Sequence, residues 1–284
     1  MIHLSEITDL KPVYAFQTAL PVPYFFPVDF SAWKRSFLQD TDGEGRTLFS
    51  ALWGLAAWED DTLLGFVQYG HTAFGFDGQG ELSSRVSYPV IRSLYFAQGR
   101  EDAGQLLLDQ AMEDLGKAGQ VYAFFHYFGM TCFARHGKLP QQLPHIRALL
   151  AANGFQTEHE NVYYSARLQE TAASGVTLLP KEKTAGDHQA LDFLLEGEPV
   201  GCCEVHFPVA EGIAYLRWIY IFDNAQNKGV GSRCMSALKS WLLTQGMAQL
   251  DTDTALDNLR AQHYYEKNGF ARLAVTRSFY RLDK

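Results

Sequence analysis

The chain of 284 residues is 47% hydrophobic and carries a formal net charge of −8. That length suits two domains of ordinary size or one large one, with enough apolar residues for a substantial core. The acidic balance speaks against a nucleic-acid partner, since such binding draws most of its affinity from Lys and Arg meeting phosphates. The acidity is uneven: residues 1–174 hold 12 Lys and Arg against 19 Asp and Glu, residues 175–284 hold 12 against 13. Such a surplus in the first part favours a cationic ligand nearby, although it also serves simple solvation.

The opening stretch, MIHLSEITDL, lacks the basic segment and apolar run of an export signal, so a cytoplasmic location is expected. No apolar run approaches the roughly 20 residues of a membrane span; LFSALWGLAAW stops at Glu59, Asp60 and Asp61. Next, SALWGLAAWEDDTLLGFVQYGHTAF reads as strand, short polar turn and strand, an antiparallel hairpin. VIRSLYFAQGREDAGQLLLDQAMEDLGKAGQVYAFFHYF reads strand, loop, helix, turn and strand. Its helix is marked by Leu107, Leu108, Ala111, Met112 and Leu115 and closed by Gly116. The aromatic run around His126 is expected to be core on the strand, with the histidine a satisfied polar group within it. After the insertion GMTCFARHGKLPQQLP come HIRALLAANGF and the strand-like ENVYYSARL. The small and polar QETAASGV then suits a linker, with a boundary near Ala172.

The same order of elements returns beyond that boundary. ALDFLLEGEPVGCCEVHF reads as a second hairpin, and LRWIYIF as a strand followed by a helix with Val230, Cys234, Leu238 and Trp241 at helical spacing and Gly246 at its end. RAQHYYEKNGF parallels HIRALLAANGF, and VTRSFYRL parallels ENVYYSARL. The reading is an α/β (α+β) fold of two tandem domains, 1–171 and 172–284, each a mixed, mostly antiparallel sheet flanked by helices. Cys132, Cys202, Cys203 and Cys234 form no CxxC pair and have no histidines at ligand spacing, so buried thiols are expected and no metal.

Chemistry concentrates at QNKGVGS, Gln226–Ser232, where a strand turns into a helix. The first amides of a helix have no partner within it and lie at the positive end of its dipole, so they stabilise an anion. Gly229 and Gly231 would let backbone approach a bulky phosphate without a Cβ between. The corner reads as a pyrophosphate cradle. Other phosphate loops fit less well: GxxxxGK[ST] is absent, and in GxGxxG the third glycine is replaced by Cys234.

With Gln226, Gly229 and Gly231 the segment resembles the [QR]xxGx[GA] signature of the GNAT superfamily of acyl-CoA-dependent N-acyltransferases. A second block supports the resemblance: Asn258, Ala261, Tyr265, Gly269 and Phe270 match the family's N..A...Y...GF arrangement. The resemblance implies acetyl-CoA, or another acyl-CoA, as co-substrate, and a small-molecule or peptide amine as acceptor. It implies backbone around Ile219, Tyr220 and Ile221 against the pantetheine arm and Gln226, Asn227, Lys228, Gly229, Val230, Gly231 and Ser232 around the pyrophosphate. It also places Asn258 on the cofactor and Tyr265 near the sulfur as general acid to the departing thiolate. For the base that deprotonates the amine, Glu204, His206 and Tyr215 are candidates by position, Glu204 first. Lys228 and Arg233 are further candidates to assist phosphate binding. The alternative to an enzyme is a non-catalytic acyl-CoA-binding or sensing protein.

Aligning the repeats sets Leu150 opposite Tyr265, Leu143 opposite Asn258, Gly99 opposite Gln226 and Asp102 opposite Gly229. The first copy thus lacks the proton donor and sets a carboxylate where pyrophosphate would lie, so loss of cofactor binding there is expected. In the second copy only KEKTAGDH stands between GVTLLP and the hairpin, where the family usually places two helices that wall the acceptor pocket. The first copy carries PYFFPVDFSAWKRSFLQD in that region. Two roles for the amino-terminal domain follow: covering the acceptor side of the second site, or serving only as a packing partner.

Overall fold

The fold is that of a computed structural model. It describes the chain apart from residues 26, 39–40, 42–44, 117–118, 134–136, 171–173, 182–187, 208–210 and 283–284. The expected boundary at Ala172 lies outside the described residues. Two compact units form. Unit 1 takes in the chain up to Glu160 together with Thr276–Lys284, and unit 2 is built on Asn161–Val275. This differs from an end-to-end partition into 1–171 and 172–284.

Unit 1 begins with β1 (Ile2–Glu6), α1 (Leu10–Thr18) and α2 (Phe30–Leu38). Sequence reading marked material around α2 but not α1, which Asp9 caps by accepting from the Lys11 amide at 3.0 Å. The expected hairpin is β2 (Phe49–Glu59) and β3 (Thr62–Thr72), turning through Asp60 at φ 51°. After the short pair β4 (Gly75–Phe76) and β5 (Leu82–Ser83), β6 (Pro89–Phe96) connects through α3 (Glu101–Leu115) to its parallel neighbour β7 (Gln120–Ala123). Leu107, Leu108, Ala111 and Leu115 of α3 are buried on this sheet. The aromatic run does not continue the strand as expected. β7 stops at Ala123, Phe124 adopts φ 53°, and His126–Phe128 forms a single 3₁₀ turn. Phe124, Phe125 and Phe128 are nonetheless buried, as an apolar run should be. β8 (Leu139–Pro140), α4 (Pro144–Ala152) and the start of β9 (Gln156–Arg167) follow. The last strand of this unit comes from the chain's end: Phe279 pairs with Ala123 and Leu282 with Gln120.

Unit 2 comprises the rest of β9, β10 (Val176–Pro180), β11 (His188–Leu195), β12 (Glu198–His206), β13 (Ile213–Ile221), α5 (Val230–Thr244), β14 (Gln249–Ala255), α6 (Leu259–Lys267) and the start of β15 (Ala271–Leu282). Its sheet runs β9-β14-β13-β12-β11-β10, antiparallel except for β13 and β14, which α5 joins in parallel. Among the described residues no helix stands between β10 and β11. Val230, Cys234 and Leu238 of α5 are buried with Cys203, Val205, Leu216 and Leu250 of the sheet, as their spacing requires. Cys132, Cys203 and Cys234 are buried and Cys202 is partly exposed; none of the four is in a disulfide. Burial pushes the Cys234 thiol up to about 12. No helix among the described residues is long and apolar enough to cross a membrane.

The repeated NGF has a common physical cause. In α4 the Gly154 amide donates to Ala151 O and that of Phe155 to Leu150 O; in α6 Gly269 donates to Glu266 O and Phe270 to Tyr265 O. Gly154 at φ +80° and Gly269 at φ +81° take the left-handed conformation that closes a helix in a Schellman turn. Phe155 and Phe270, next in sequence, are both buried. Leu150 and Tyr265 therefore occupy the same place in their helices, and Leu143 and Asn258 are both N-caps.

Because Phe279 and the residues around it complete unit 1, ending the chain after Val275 should destabilise that unit more than a nine-residue tail would. Loss of the buried Phe279 alone costs about 2–3 kcal/mol. With the lost ladder, a fall in Tm on the order of 10 °C is expected, together with loss of amide exchange protection at Gln120–Ala123.

Candidate functional site

The site begins where the parallel ladder ends. β13 and β14 pair from Ile213–Gln249 to Leu216–Thr252 and no further, although β13 continues to Ile221. On its other edge β13 remains paired with β12. There the register shifts so that Arg217 is an extra residue between Leu216, opposite Val205, and Trp218, opposite Glu204. Such a bulge bends and twists its strand. Beyond it, one edge of residues 217–221 is left without a strand partner.

A groove of about 510 Å³ occupies this gap. Of the residues expected around a cofactor, Ile219, Tyr220, Ile221, Gln226, Asn227, Gly229, Gly231, Ser232, Asn258 and Tyr265 line it. Two behave otherwise. The Val230 side chain turns into the core, and the Lys228 ammonium turns back to donate to Asn224 O at 2.9 Å. Arg233 likewise points elsewhere, donating from Nε to Ser174 O at 2.7 Å.

Local chemistry explains the loop. Gln226 Nε2 donates to Ile221 O at 2.7 Å and to Asp223 Oδ1 at 2.8 Å, while its Oε1 accepts from Arg260 at 2.6 Å. One side chain thereby ties the strand end, the turn and α6 together. The glycines serve different ends. Gly229 is the N-cap at φ +76° with open space around it, so its need is conformational. At Gly231 a Cβ would stand 3.2 Å from the Tyr264 ring, so its need is close approach. Gly229 offers no side-chain cap, which leaves the amides of Val230, Gly231 and Ser232 without intrahelical acceptors.

Helix α6 forms the opposite wall. Asn258 starts it, its side chain accepting from the Ala261 amide at 3.1 Å. Tyr264 donates to Gly231 O at 2.8 Å. Tyr265 is buried among Tyr164, Tyr264 and Phe270, with ring centroids 5.7, 5.6 and 5.4 Å away. Burial raises its phenol pKa and the nearby Asp253 charge adds to this, while hydrogen bonding with Thr252 pulls the other way. The phenol therefore keeps its proton throughout the neutral range. Arg260, His263, Tyr264 and Lys267 also line the groove and went unnoticed in the sequence. Their spacing of 0, 3, 4 and 7 is one face of a helix, a signal that could have revealed them.

The face of the sheet away from α5 and α6 carries carboxylates. Cross-strand partners share a face, which groups Glu204, His206, Tyr215, Asp251 and Asp253. Glu204 is outside the groove lining. It is ion-paired with Arg217, lies 2.9 Å from His188 Nδ1 and accepts from Trp218 Nε1 at 3.3 Å. His206 stacks on His188 at 4.6 Å. Tyr215 donates to Asp253 Oδ1 at 2.6 Å, and the Asn161 amide donates to Oδ2 of the same carboxylate. Asp251 lies deeper, accepting from Tyr163 at 2.6 Å and Gln249 at 2.8 Å, and burial raises its pKa. Glu204 and Asp253 thus flank the end of the β13–β14 ladder, one on each side.

The corresponding corner of unit 1 is built differently. Ala103, Gly104, Leu107, Leu108, Ala111 and Leu115 are buried in α3, in the same pattern as Val230, Gly231, Cys234, Met235, Leu238 and Leu242 in α5, except that Gly231 is only partly buried. That pattern sets Asp102 opposite Gly229. The Asp102 carboxylate accepts from the Ala103 amide at 2.9 Å and from Arg100 Nε at 3.1 Å; Arg100 also binds Glu59 at 2.9 Å. Arg100 beside it holds the Asp102 carboxyl below its ordinary range. The start of α3 is thus met by the chain's own carboxylate, whereas that of α5 has no side-chain cap.

Comparison with known proteins bears on this geometry. Residues 153–270 match the acetyltransferase (GNAT) family. Over 59 residues the chain is 32% identical to the aminoglycoside N(6')-acetyltransferase type 1 of Serratia marcescens, a stretch covering 21% of this chain and 40% of that protein. A tandem GNAT protein from the clavulanic acid biosynthesis pathway superposes with a TM-score of 0.64 at 12% identity, over 99% of this chain and 98% of that one. A GCN5-related N-acetyltransferase from Sphaerobacter thermophilus does so with a TM-score of 0.62 at 10% identity, over 99% and 95%. The tandem fold read from the repeats is thereby shown.

A stoichiometry follows from the contrast between the two corners. Calorimetric titration of the full chain with acetyl-CoA should find one site. Gly229→Asp, which copies Asp102 and is among the substitutions best tolerated at positive φ, should weaken it at least about tenfold through like-charge repulsion. A stoichiometry of two would show that unit 1 binds as well.

Proposed function

We propose, from the match of residues 153–270 to the GNAT acetyltransferase family, that the protein transfers an acetyl or related acyl group from acyl-CoA to a primary amine of a small molecule or peptide. Attack is direct, within a ternary complex. One observation carries the reading: the unpaired edge at Ile219–Ile221, the helix start at Gly229–Ser232, Asn258 and the protonated Tyr265 all open into a single groove.

Each group has a task in this reaction. The edge of β13 hydrogen-bonds the extended pantetheine arm as a further strand would, and the amides of Val230–Ser232 hold the diphosphate. The amine nitrogen attacks the thioester carbon, a C–N bond forms, the C–S bond breaks, and negative charge passes to sulfur. Tyr265 donates its proton there, and the amine's surplus proton leaves on the opposite side of the carbonyl. Two carboxylates stand on that side. Glu204, the first candidate for the base, is engaged by Arg217, which occupies a lone pair a base needs and offsets its charge; its fitting role is to hold the bulged strand beside the acceptor. Among the described residues Asp253 is held by the neutral donors Tyr215 and Asn161 rather than by a cation, and Tyr215, itself a candidate for the base, can relay a proton to it; of the two carboxylates it is the one we assign to receive the proton.

Tyr265→Phe should lower kcat by about 100-fold or more while changing the Kd for acetyl-CoA less than about twofold. Because the phenol's pKa is raised, the loss should be constant across neutral pH, and the alkaline limb of the wild-type profile should vanish. The acceptor comes from an amine screen followed by release of free CoA. Binding of acetyl-CoA with no turnover on any amine would favour a sensing protein instead.

With an acceptor in hand, Asp253→Asn should lower kcat by roughly 100-fold. Glu204→Gln should raise KM by about tenfold with kcat little changed. The reverse pattern would return the role of base to Glu204.

A further inference from the structure

The bulge that bends β13 recurs in unit 1, and both copies place an arginine in it. In β6 the register against β3 shifts so that Arg92 is an extra residue between Ile91, opposite Tyr69, and Ser93, opposite Gln68. In each unit this arginine directly follows the last pair of the parallel ladder, Ile91–Ala123 in one and Leu216–Thr252 in the other. Arg92 and Arg217 are therefore equivalent by pairing, as are Gln68 and Glu204. Their contacts agree: Arg92 Nη1 donates to Gln68 Oε1 at 3.2 Å, and Arg217 Nη1 donates to Glu204 Oε1.

The rest of the guanidinium differs. In unit 1 the edge formed by Nε and Nη2 is filled: Nε donates to Phe128 O and Nη2 to Gly129 O, each at 3.0 Å, while Nη1 also reaches Ser36 O at 3.0 Å. Those carbonyls come from residues 124–143, which separate β7 from α4, and from α2. Among the described residues unit 2 has neither source, since 256–258 alone separate β14 from α6 and no helix stands between β10 and β11. Arg217 consequently commits only Nη1, to Glu204 and to a 3.0 Å approach to His188 Nδ1. Its Nε and Nη2 have no acceptor among the described residues and open to solvent, the side chain being 27% exposed.

We infer that the open edge of Arg217 binds a carboxylate on the acceptor, so that the acceptor is an amine that also bears a carboxylate, as a free amino acid does. The inference rests on the transferase reading and names its acceptor class. In unit 1 two oxygens at 3.0 Å from Nε and Nη2 stand as those of a carboxylate would, and this side-on edge is one through which arginine takes a carboxylate in two parallel hydrogen bonds. The place fits as well. Its bond to Glu204 puts the guanidinium on the sheet face that carries Asp253, from which the amine approaches. Arg217 lies two residues beyond Tyr215, whose hydroxyl meets Asp253, or about 7 Å along a strand. A zwitterion meets both groups, its ammonium toward Asp253 and its carboxylate toward Arg217. Glu204 prepares the site: Arg217 holds its Oε1 and Trp218 Nε1 its Oε2 at 3.3 Å, so the guanidinium is oriented before the acceptor arrives.

Release of free CoA from acetyl-CoA tests this, measured with the full-length protein on the common L-amino acids, their amides and the corresponding decarboxylated amines. At least one amino acid should be acetylated with kcat/KM about 100-fold or more above its amide and its decarboxylated amine, because a site built to bond a polar group rejects the analogue lacking it. Arg217→Lys keeps a positive charge beside Glu204 but has no side-on edge, and should lower that ratio at least about tenfold through the KM of the amino acid. Equal use of amino acid and amide by the wild type overturns the inference whether or not the variant folds, as does an unchanged ratio in Arg217→Lys. Turnover confined to amides and plain amines overturns it and leaves the transferase reading intact. Failure to bind acetyl-CoA, or to acetylate any amine, overturns the transferase reading, and this inference falls with it.

Discussion

The divergence of β13 from β14 beyond Leu216–Thr252 is the constraint on which the site depends. A sheet interior ordinarily offers nothing to a ligand, because its amides and carbonyls satisfy one another. Here the pairing stops partway along β13, beside the bulge at Arg217. The remaining edge must find other partners, and an extended arm bearing amides fits that demand. The parallel pairing requires a crossover, α5 supplies it, and its start consequently lies at the end of the exposed edge. Strand edge, anion corner and buried phenol are thus consequences of one topological choice.

Both units use the same helix closures, and their differences fall where charge is decided. Leu150 and Tyr265 occupy the same place before a Schellman turn, yet one is plain core and the other a core residue with an ionisable hydroxyl. At the helix starts, Asp102 bonds the Ala103 amide, whereas Gly229 contributes no side chain at all. Unsatisfied amides at a helix start take an acceptor from somewhere. A carboxylate in the first turn settles that need within the chain, and its absence leaves the need to be met by a ligand.

Elements with strong periodicity were legible in the sequence: both hairpins, α3, α5 and the glycine closures. The loop was legible because Gln226, Gly229 and Gly231 stand at a recognisable spacing. Strand partnership was not. Periodicity says which face of Gln156–Arg167 or Ala271–Leu282 is buried, but not which edge each half of a twelve-residue strand pairs with, so the division inside these strands had no local sign. The aromatic run after Ala123 reads as strand because a left-handed residue such as Phe124 leaves the apolar pattern intact. Glu204 was read as an available base since nothing in the sequence shows that a bulge would bring Arg217 onto it. The Arg260, His263 and Lys267 face of α6 escaped for another reason: attention to Asn258, Ala261 and Tyr265 follows one stripe of the helix, and these three lie on the opposite one.

The site also sorts charge between the two faces of the sheet. On the helix side the groove carries Arg260, His263 and Lys267 with no carboxylate among its described lining residues; the other face carries Glu204, Asp251 and Asp253. At physiological ionic strength a charge is felt over only about 8 Å, so the chain's net acidity says little about what either face attracts. Local sorting does. Under the proposed reaction an anionic donor would enter from the helix side and the acceptor from the other, and the gap between β13 and β14 is where backbone pairing leaves room for both. In the proposed reaction the same separation would set Tyr265 and Asp253 on opposite sides of the reacting carbon.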